Sequence, residues 1–248
     1  MKPYLTILNS RTLFVIVSAG LITYFSLVLN IDYYVDLTLL SIAIIFPLVF
    51  TIRGSFRRRE KALEHLSKFR SAVKTIHYFG ISDKGLMADQ KSELTQILQE
   101  LSERTMEHLS RHEHTIGDLD QCIDQVQDFV QRNQEALSSR SKDRILRLMR
   151  DLHDAVENLH AIHTHRTPVS LKAYCLVFIY LFPLIYAPTI INSVGADTHP
   201  GISYLIVVLT QFILISLYNI QDQLEYPFDN HGLDDINLDA FTMQRNSQ

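Results

Sequence analysis

The chain has 248 residues, of which 47% are hydrophobic, and its formal net charge is −4. The length suits one domain of ordinary size, and so weak a charge balance excludes the strongly basic proteins that bind nucleic acids. The charged residues are unevenly distributed along the chain. Four stretches contain none of them: residues 12–31, 37–52, 173–196 and 200–221.

Each uncharged stretch is about as long as a helix that crosses a bilayer core of roughly 30 Å at about 1.5 Å per residue. We therefore predict four transmembrane helices. The second is short, so the arginines that follow it would have to reach the interface. The two short connections carry only acidic residues, whereas Lys and Arg flank the other ends, which predicts that both termini and residues 53–165 are cytoplasmic. No cleavable signal or transit peptide is recognisable, which favours a bacterial inner membrane.

Residues 53–165 contain no strand-like alternation, and apolar residues recur at helical spacing. A cytoplasmic block of helices is expected, the first continuing directly from the second span. Ser82 or Asp83 is the candidate cap of the next helix, and Ser141 of the last one. Residues 232–248 form an acidic and then polar tail that we expect to be loosely held. The apolar stripes are Leu63–Ile76, Leu94–Leu101, Ile116–Val130 and Ile145–Leu159.

Three large residues of the second span, Ile42, Phe46 and Phe50, are spaced four apart and fall close to one helical face. Such a face could line a narrow pore neck that repels water, or it could simply face lipid. A basic cluster follows directly; its arginines are Arg53, Arg57, Arg58 and Arg59.

Enzyme signatures are lacking: there is no Gly-rich phosphate loop, no G-x-S-x-G and no H-E-x-x-H. His153, Glu157 and His160 have a spacing that can bind a metal, although a polar face in contact with solvent or with a wet cavity explains them better. Residues 112–114, His-Glu-His, are a weaker candidate. The acidic segment 222–239 does not match an EF-hand loop, so a solvated tail explains it better than Ca²⁺. We predict no catalytic residue, no bound metal and no cofactor.

Three prolines, Pro47, Pro183 and Pro188, lie inside predicted spans. Proline in a membrane helix frees a backbone carbonyl, which is tolerated only where protein or water provides a new donor. The prolines therefore predict bent helices, which suit a pore helix but also occur in helices without a transport role.

Three local patterns together resemble the bestrophin family of ion channels, including its bacterial members. Residues 42–50 with the basic run 53–62 resemble the neck-lining second span of that family and the helix after it. Residues 166–171, Arg-Thr-Pro-Val-Ser-Leu, resemble the entry to its third span. Residues 224–229, Leu-Glu-Tyr-Pro-Phe-Asp, with the later 237–239, resemble the Pro-Phe segment after the fourth span. The layout matches over nearly the whole chain, and individual residues match over only about 40 positions.

The chain also departs from the family pattern. The aromatic pair after the second span is replaced by Arg59 and Glu60, and the Gly after Pro-Phe is Asp229. The acidic run that binds calcium in animal members is diluted by residues 230–233. Calcium gating is therefore not carried over.

The resemblance implies an all-α integral membrane protein with four transmembrane helices, a helical cytoplasmic block between the second and third, and one channel unit over residues 1–231. It implies a homopentamer that conducts small inorganic ions through a neck of Ile42, Phe46 and Phe50. Members of the family mostly conduct chloride or other anions, although bacterial members can prefer cations, so the sign of the permeant ion stays open. Two other readings stay open: a membrane-anchored helical signalling or scaffold protein without conductance, and a membrane enzyme. Broken apolar stripes and the lack of an effector domain count against the scaffold.

Overall fold

The computed structural model describes residues 9–111, 117–195, 200–229 and 234–244. Within these ranges the chain is helical and contains no strand. This is the all-α architecture that the sequence predicts. The helices are α1 (Ser10–Val28), α2 (Thr38–Ser82), α3 (Ala88–Ser110), α4 (Gly117–Arg132), α5 (Ser139–Thr164), α6 (Val169–Val194) and α7 (Pro200–Leu224), followed by a 3-10 helix (Leu238–Phe241).

The chain divides into two compact units, and each is built from two separate stretches of sequence. The first unit consists of Met1–Arg57 and Thr167–Glu225, and the second of Arg58–Arg166 and Tyr226–Gln248. The boundary between them falls inside α2. The single channel unit over residues 1–231 stays a prediction.

Four helices are long and apolar enough to cross a membrane. They are α1, α2, the stretch Ser139–Val194 that contains α6, and α7, and they coincide with the four predicted spans. The chain is thus a multi-pass membrane protein. As expected, α2 continues without a break from the second span to Ser82.

The core of the first unit lies among α1, α2, α6 and α7. Val15 of α1, Ile44 and Leu48 of α2, and residues of α6 and α7 form one buried cluster. A second cluster of smaller residues, Ala19, Ala187 and Val207, brings α1, α6 and α7 together. Small residues allow helix backbones to approach closely in a membrane, where dispersion contacts replace the hydrophobic effect as the main attraction between helices.

Two tyrosines provide donors to carbonyls that prolines leave free. Proline has no N–H, so Pro47 cannot bond to the Ala43 carbonyl, nor Pro188 to the Leu184 carbonyl. The Tyr174 hydroxyl donates to the Ala43 oxygen at 3.2 Å, and the Tyr33 hydroxyl donates to the Leu184 oxygen at 3.2 Å. At these two prolines, protein hydroxyls thus satisfy the freed carbonyls, as a membrane helix that contains proline requires.

The second unit is a helical bundle formed by the end of α2 with α3, α4 and α5. The predicted apolar stripes of these helices supply its core, in which Leu66, Phe69, Leu101 and Ile123 are completely buried. Ile116, the first residue of one stripe, lies outside the described residues. The connection between α2 and α3 packs tightly against the one between α4 and α5: at Gly85 an added Cβ would collide with the Ala136 carbonyl.

The predicted helix caps are wrong. Helix α3 begins after Met87, whose N–H donates to the Gln90 side chain at 2.8 Å. Helix α5 is capped by Ser138, whose Oγ accepts from the Ser141 N–H. For α5 the sequence pattern could not distinguish Ser138 from Ser141, because a serine at either position can serve as the N-cap.

Asp83 ties the turn before α3 to the start of α5. Its carboxylate accepts hydrogen bonds from the Ser138 Oγ at 2.7 Å and from the Gly85 N–H at 2.9 Å. The side chains of Ser141 and Ser138, with the backbone N–H groups of Gly85 and Ser138, lower the pKa of Asp83 to about 2 against the opposing effect of burial. Asp83 is therefore an ionised, structural side chain.

The expectation of a loosely held tail is wrong for residues 234–244. Ile236 and Met243 are buried in the core of the second unit. The Met243 N–H donates to Ser102 Oγ at 2.8 Å, and Arg70 Nε donates to the Thr242 carbonyl at 3.1 Å. Leu238 and Phe241 of the same segment pack against this core as well, so its apolar residues were a signal that the acidic and polar composition obscured.

Candidate functional site

The three predicted neck residues form an exposed stripe on α2. Ile42, Phe46 and Phe50 are 46%, 55% and 61% exposed, and the rings of Phe46 and Phe50 lie 6.0 Å apart. At about 100° per residue they fall within roughly 80° of one another around the helix. The structure thus places them on one face, where the sequence predicts them.

The opposite face of α2 is buried within the first unit. Ile44 and Leu48 are 2% and 1% exposed and belong to its core, and Thr51 and Ser55 are buried beside them. Helix α2 consequently has a face that packs inside the chain and a face of large apolar side chains that the chain does not cover.

Arg53 and Arg57 extend the exposed stripe. Both are exposed, and the helical repeat places them between the directions of Ile42 and Phe50. We call Ile42, Phe46, Phe50, Arg53 and Arg57 the α2 stripe. It presents an apolar surface that passes directly into two positive charges, so it can repel water over one part and attract anions at the other.

The other two arginines of the predicted basic cluster have structural partners in the second unit. Arg58 donates to the carbonyls of Ile162 and His165 at the end of α5, and Arg59 donates to the Asp234 carbonyl. A cation that binds the last carbonyls of a helix is a favourable cap. The structure therefore does not bring the four predicted arginines together on one surface.

A buried charge cluster in the first unit was not foreseen from the sequence. Lys172 of α6 binds Asp222 at 2.6 Å and Glu225 at 2.7 Å, and Glu225 is 2% exposed. Glu225 also accepts from the Thr167 N–H at 2.9 Å. Since a buried carboxylate must be paired, this cluster fixes the start of α6 against the end of α7. Thr167 and Glu225 belong to two of the motifs that carry the family resemblance. Those motifs were the sequence signal that could have indicated this cluster.

A matching polar contact joins α1 to α7. The Asn219 side chain donates to Thr12 Oγ1 at 2.8 Å, and Arg11 pairs with Asp222 at 3.4 Å. The Asn9 side chain accepts from the Thr12 N–H and caps α1. These polar groups fix the register of α1 and α7 where apolar packing alone would allow sliding.

Of the predicted metal-binding set His153, Glu157 and His160, His160 instead contacts a histidine of another helix. His160 approaches His108 of α3, with 3.0 Å between its Nδ1 and the His108 Nε2, and the His163 and His108 rings lie 5.6 Å apart. His153 and Glu157 take no part in this contact. The pair His112 and His114 lies outside the described residues.

Across the described ranges, no three His, Cys, Asp or Glu side chains are arranged to hold a metal ion. In the acidic segment, Asp222 and Glu225 bind Lys172, and Asn237 caps the 3-10 helix by accepting from the Asp239 N–H at 3.0 Å. Asn230 lies outside the part of the chain that the structure describes.

No protein-family model and no curated protein matches the sequence significantly. Solved structures do match the fold. Two single-substitution variants of a bacterial bestrophin homologue from Klebsiella pneumoniae superpose with a TM-score of 0.78, at 17% and 18% identity, over 94% of this chain and 95% and 97% of theirs. The structure of a bestrophin homologue from the same organism, phased by Zn-SAD, gives a TM-score of 0.75 at 18% identity, over 94% of this chain and 93% of that chain.

Proposed function

We propose that this chain, which has the fold of bacterial bestrophin homologues, is the pore-forming subunit of a bestrophin-like ion channel. The observation that carries the proposal is the α2 stripe. Ile42, Phe46 and Phe50 are exposed on one face of α2, while Ile44 and Leu48 on the opposite face are buried. A two-faced helix of this kind suits a ring in which each copy turns the stripe toward a common axis. We propose five copies, as the resemblance implies.

In such a ring the apolar part of the stripe forms a hydrophobic neck. Ions cross it after losing part of their water, and loss of water from the neck closes it. Phe46 and Phe50 are the widest side chains of the stripe, and their rings lie next to each other at 6.0 Å. They therefore set the narrowest part of the path.

Arg53 and Arg57 favour anions over cations. In a ring they supply repeated positive charge at one end of the neck, and a charged opening with low-dielectric walls concentrates ions of opposite sign. Neither residue makes a hydrogen bond or an ion pair with any described residue. We propose that chloride or a similar small anion is the main permeant ion, and that the protein resides in a bacterial inner membrane with both termini in the cytoplasm.

The test is to record purified protein in planar bilayers under a KCl gradient. A reversal potential near the chloride potential supports an anion channel, whereas one near the potassium potential keeps the channel and overturns the anion preference. Absence of current over a range of voltage and pH, from protein shown to be a folded oligomer, overturns conduction and favours the scaffold reading.

Substitutions in the α2 stripe test whether this stripe lines the ion path. Phe46→Ala and Phe50→Ala widen the neck and should raise the single-channel conductance. Phe25→Ala on α1 is the matched control, since Phe25 is also 55% exposed but lies outside the stripe. Arg53→Gln with Arg57→Gln should shift the reversal potential toward that of potassium. Equal effects of Phe46→Ala and Phe25→Ala would show that the stripe does not line the path.

A further inference from the structure

Helix α7 buries an amide that no protein group satisfies. Gln211 is completely buried near the middle of the span, and neither its Nε2 nor its Oε1 hydrogen-bonds to any residue of the described ranges. A glutamine amide carries two N–H donors and an oxygen that accepts. Leaving such a group unpaired inside a membrane helix is costly, because bulk solvent cannot reach it.

Helix α6 buries an acceptor that has lost its helical partner. Pro183 has no N–H, so it cannot donate to the carbonyl of Ile179, four residues earlier. No side chain of the described residues donates to this carbonyl, unlike the carbonyls that Pro47 and Pro188 leave free. Ile179 and Pro183 are both buried, so this carbonyl lies on the packed side of α6 rather than toward lipid.

Helices α6 and α7 are antiparallel neighbours, which brings the Gln211 amide and the Ile179 carbonyl to adjacent levels. The Tyr186 hydroxyl lies 3.3 Å from Thr210 Oγ1, and Gln211 directly follows Thr210. Gln211 therefore lies opposite the turn of α6 that precedes Tyr186 and begins at Pro183. The carbonyls of a helix point toward its C-terminus, so the Ile179 oxygen points along α6 toward this turn.

The packing of the first unit places both groups in its interior. Ile179 belongs to one buried cluster with Leu214 and Ile215, which lie one helical turn from Gln211. The same cluster includes Ile44, on the side of α2 opposite to the α2 stripe. The two unsatisfied groups are therefore separate from the proposed ion path.

The chemistry of this interior fits a water molecule. The spans that surround it, residues 12–31, 173–196 and 200–221, contain no charged residue, so an ion would find no counter-charge there. A water can donate to the Ile179 carbonyl and to Gln211 Oε1, and it can accept from Gln211 Nε2. Three hydrogen bonds are typical of a buried water. We propose that an ordered water binds between Gln211 and the Ile179 carbonyl and joins α7 to α6. The site lies within one chain and does not depend on the ring.

The sign of a stability change tests the water. Gln211→Met keeps the length of the side chain and removes the amide, so the water loses two of its three partners. Thermal unfolding of the full chain in detergent should then show a midpoint about 2–4 °C lower, the size expected for the loss of about one net hydrogen bond. A dry amide gives the opposite result, because an apolar side chain would relieve its desolvation penalty. A midpoint that rises or stays unchanged therefore overturns the proposal.

A double-mutant cycle tests whether the water joins the two helices. Pro183→Ala restores an N–H to the Ile179 carbonyl and so takes one partner from the water. Gln211→Met should lower the midpoint less in this background than in the wild type. Pro188→Ala is the matched control, because the Tyr33 hydroxyl already donates to the carbonyl that Pro188 leaves free. In the control background Gln211→Met should keep its full effect, and equal effects in the two backgrounds overturn the shared water.

A density map of the wild-type protein provides the direct readout, and it does not require any variant to fold. Cryo-electron microscopy at a resolution that shows ordered water should reveal a peak about 2.5–3.2 Å from the Gln211 amide and from the Ile179 oxygen. A map that resolves both side chains without such a peak overturns the proposal. So does a map in which the Gln211 amide donates directly to the Ile179 carbonyl.

Discussion

Tyr174→Phe tests whether a hydroxyl replaces the helix bond that Pro47 removes. The variant deletes the donor to the Ala43 carbonyl and leaves the ring in place. The O···O distance of 3.2 Å is longer than the 2.5–3.0 Å of a good O–H···O bond, and Tyr174 is 37% exposed. We therefore expect a loss near the lower end of the usual range, about 0.5–1 kcal/mol in the free energy of unfolding.

A double-mutant cycle separates this bond from other effects of the substitution. Pro47→Ala restores an N–H that can reach the Ala43 carbonyl, so the hydroxyl becomes redundant. Tyr174→Phe should then cost little in the Pro47→Ala background. Titration with SDS in mixed micelles gives the free energy of unfolding of all four proteins. A loss of about 0.5–1 kcal/mol corresponds to a decrease of about 1–4 °C in the thermal midpoint.

The control for this cycle is Tyr180→Phe on the same helix, whose hydroxyl makes no hydrogen bond to a described residue. It should leave the free energy of unfolding unchanged. Equal costs of Tyr174→Phe with and without Pro47 would refute the reasoning, because the hydroxyl would then act independently of the freed carbonyl.

Two further predictions concern the second unit. The lowered pKa of Asp83, about 2 against an ordinary 3.8, should contribute about 2 kcal/mol of stability that is present above pH 3.8 and is lost as the pH falls toward 2. The free energy of unfolding of Asp83→Asn should lack this pH dependence, whereas that of Asp89→Asn should retain it. If Asp83→Asn kept the wild-type pH dependence, Asp83 would not be its source. Gly85→Ala should cost about 1–3 kcal/mol because its Cβ would collide with the Ala136 carbonyl, whereas Gly117→Ala, which meets nothing within 4 Å, should not. Equal thermal midpoints for the two alanine variants would count against this packing.

The spans and the stripe were predictable because both depend on features that sequence displays directly. Charge-free length predicts a membrane helix, and the spacing of Ile42, Phe46 and Phe50 predicts a shared face. The partners of individual polar groups were not predictable. Arg58 and Arg59 have the same sequence context as Arg53 and Arg57, yet they bind carbonyls that are far away in the chain.

The same limit explains the wrong caps. Asp83 is two residues from Gly85 but 55 residues from Ser138, and its role follows from both contacts together. The sequence likewise predicts a polar tail at residues 234–244, because their large apolar residues, Ile236, Leu238, Phe241 and Met243, do not keep one helical or strand spacing. Contacts between distant segments are set by the packing of the whole core, which local patterns do not record.

The core of the second unit cannot be completed until the end of the chain has been synthesised. Phe228, Ile236 and Met243 complete that core, yet they follow α6 and α7 in the chain. A ribosome therefore produces both of these membrane helices before the last core residues exist. Until then the core positions that Phe228 and Met243 will occupy are unfilled, so maturation of this helical bundle must wait for the synthesis of α6, α7 and the segment that follows them.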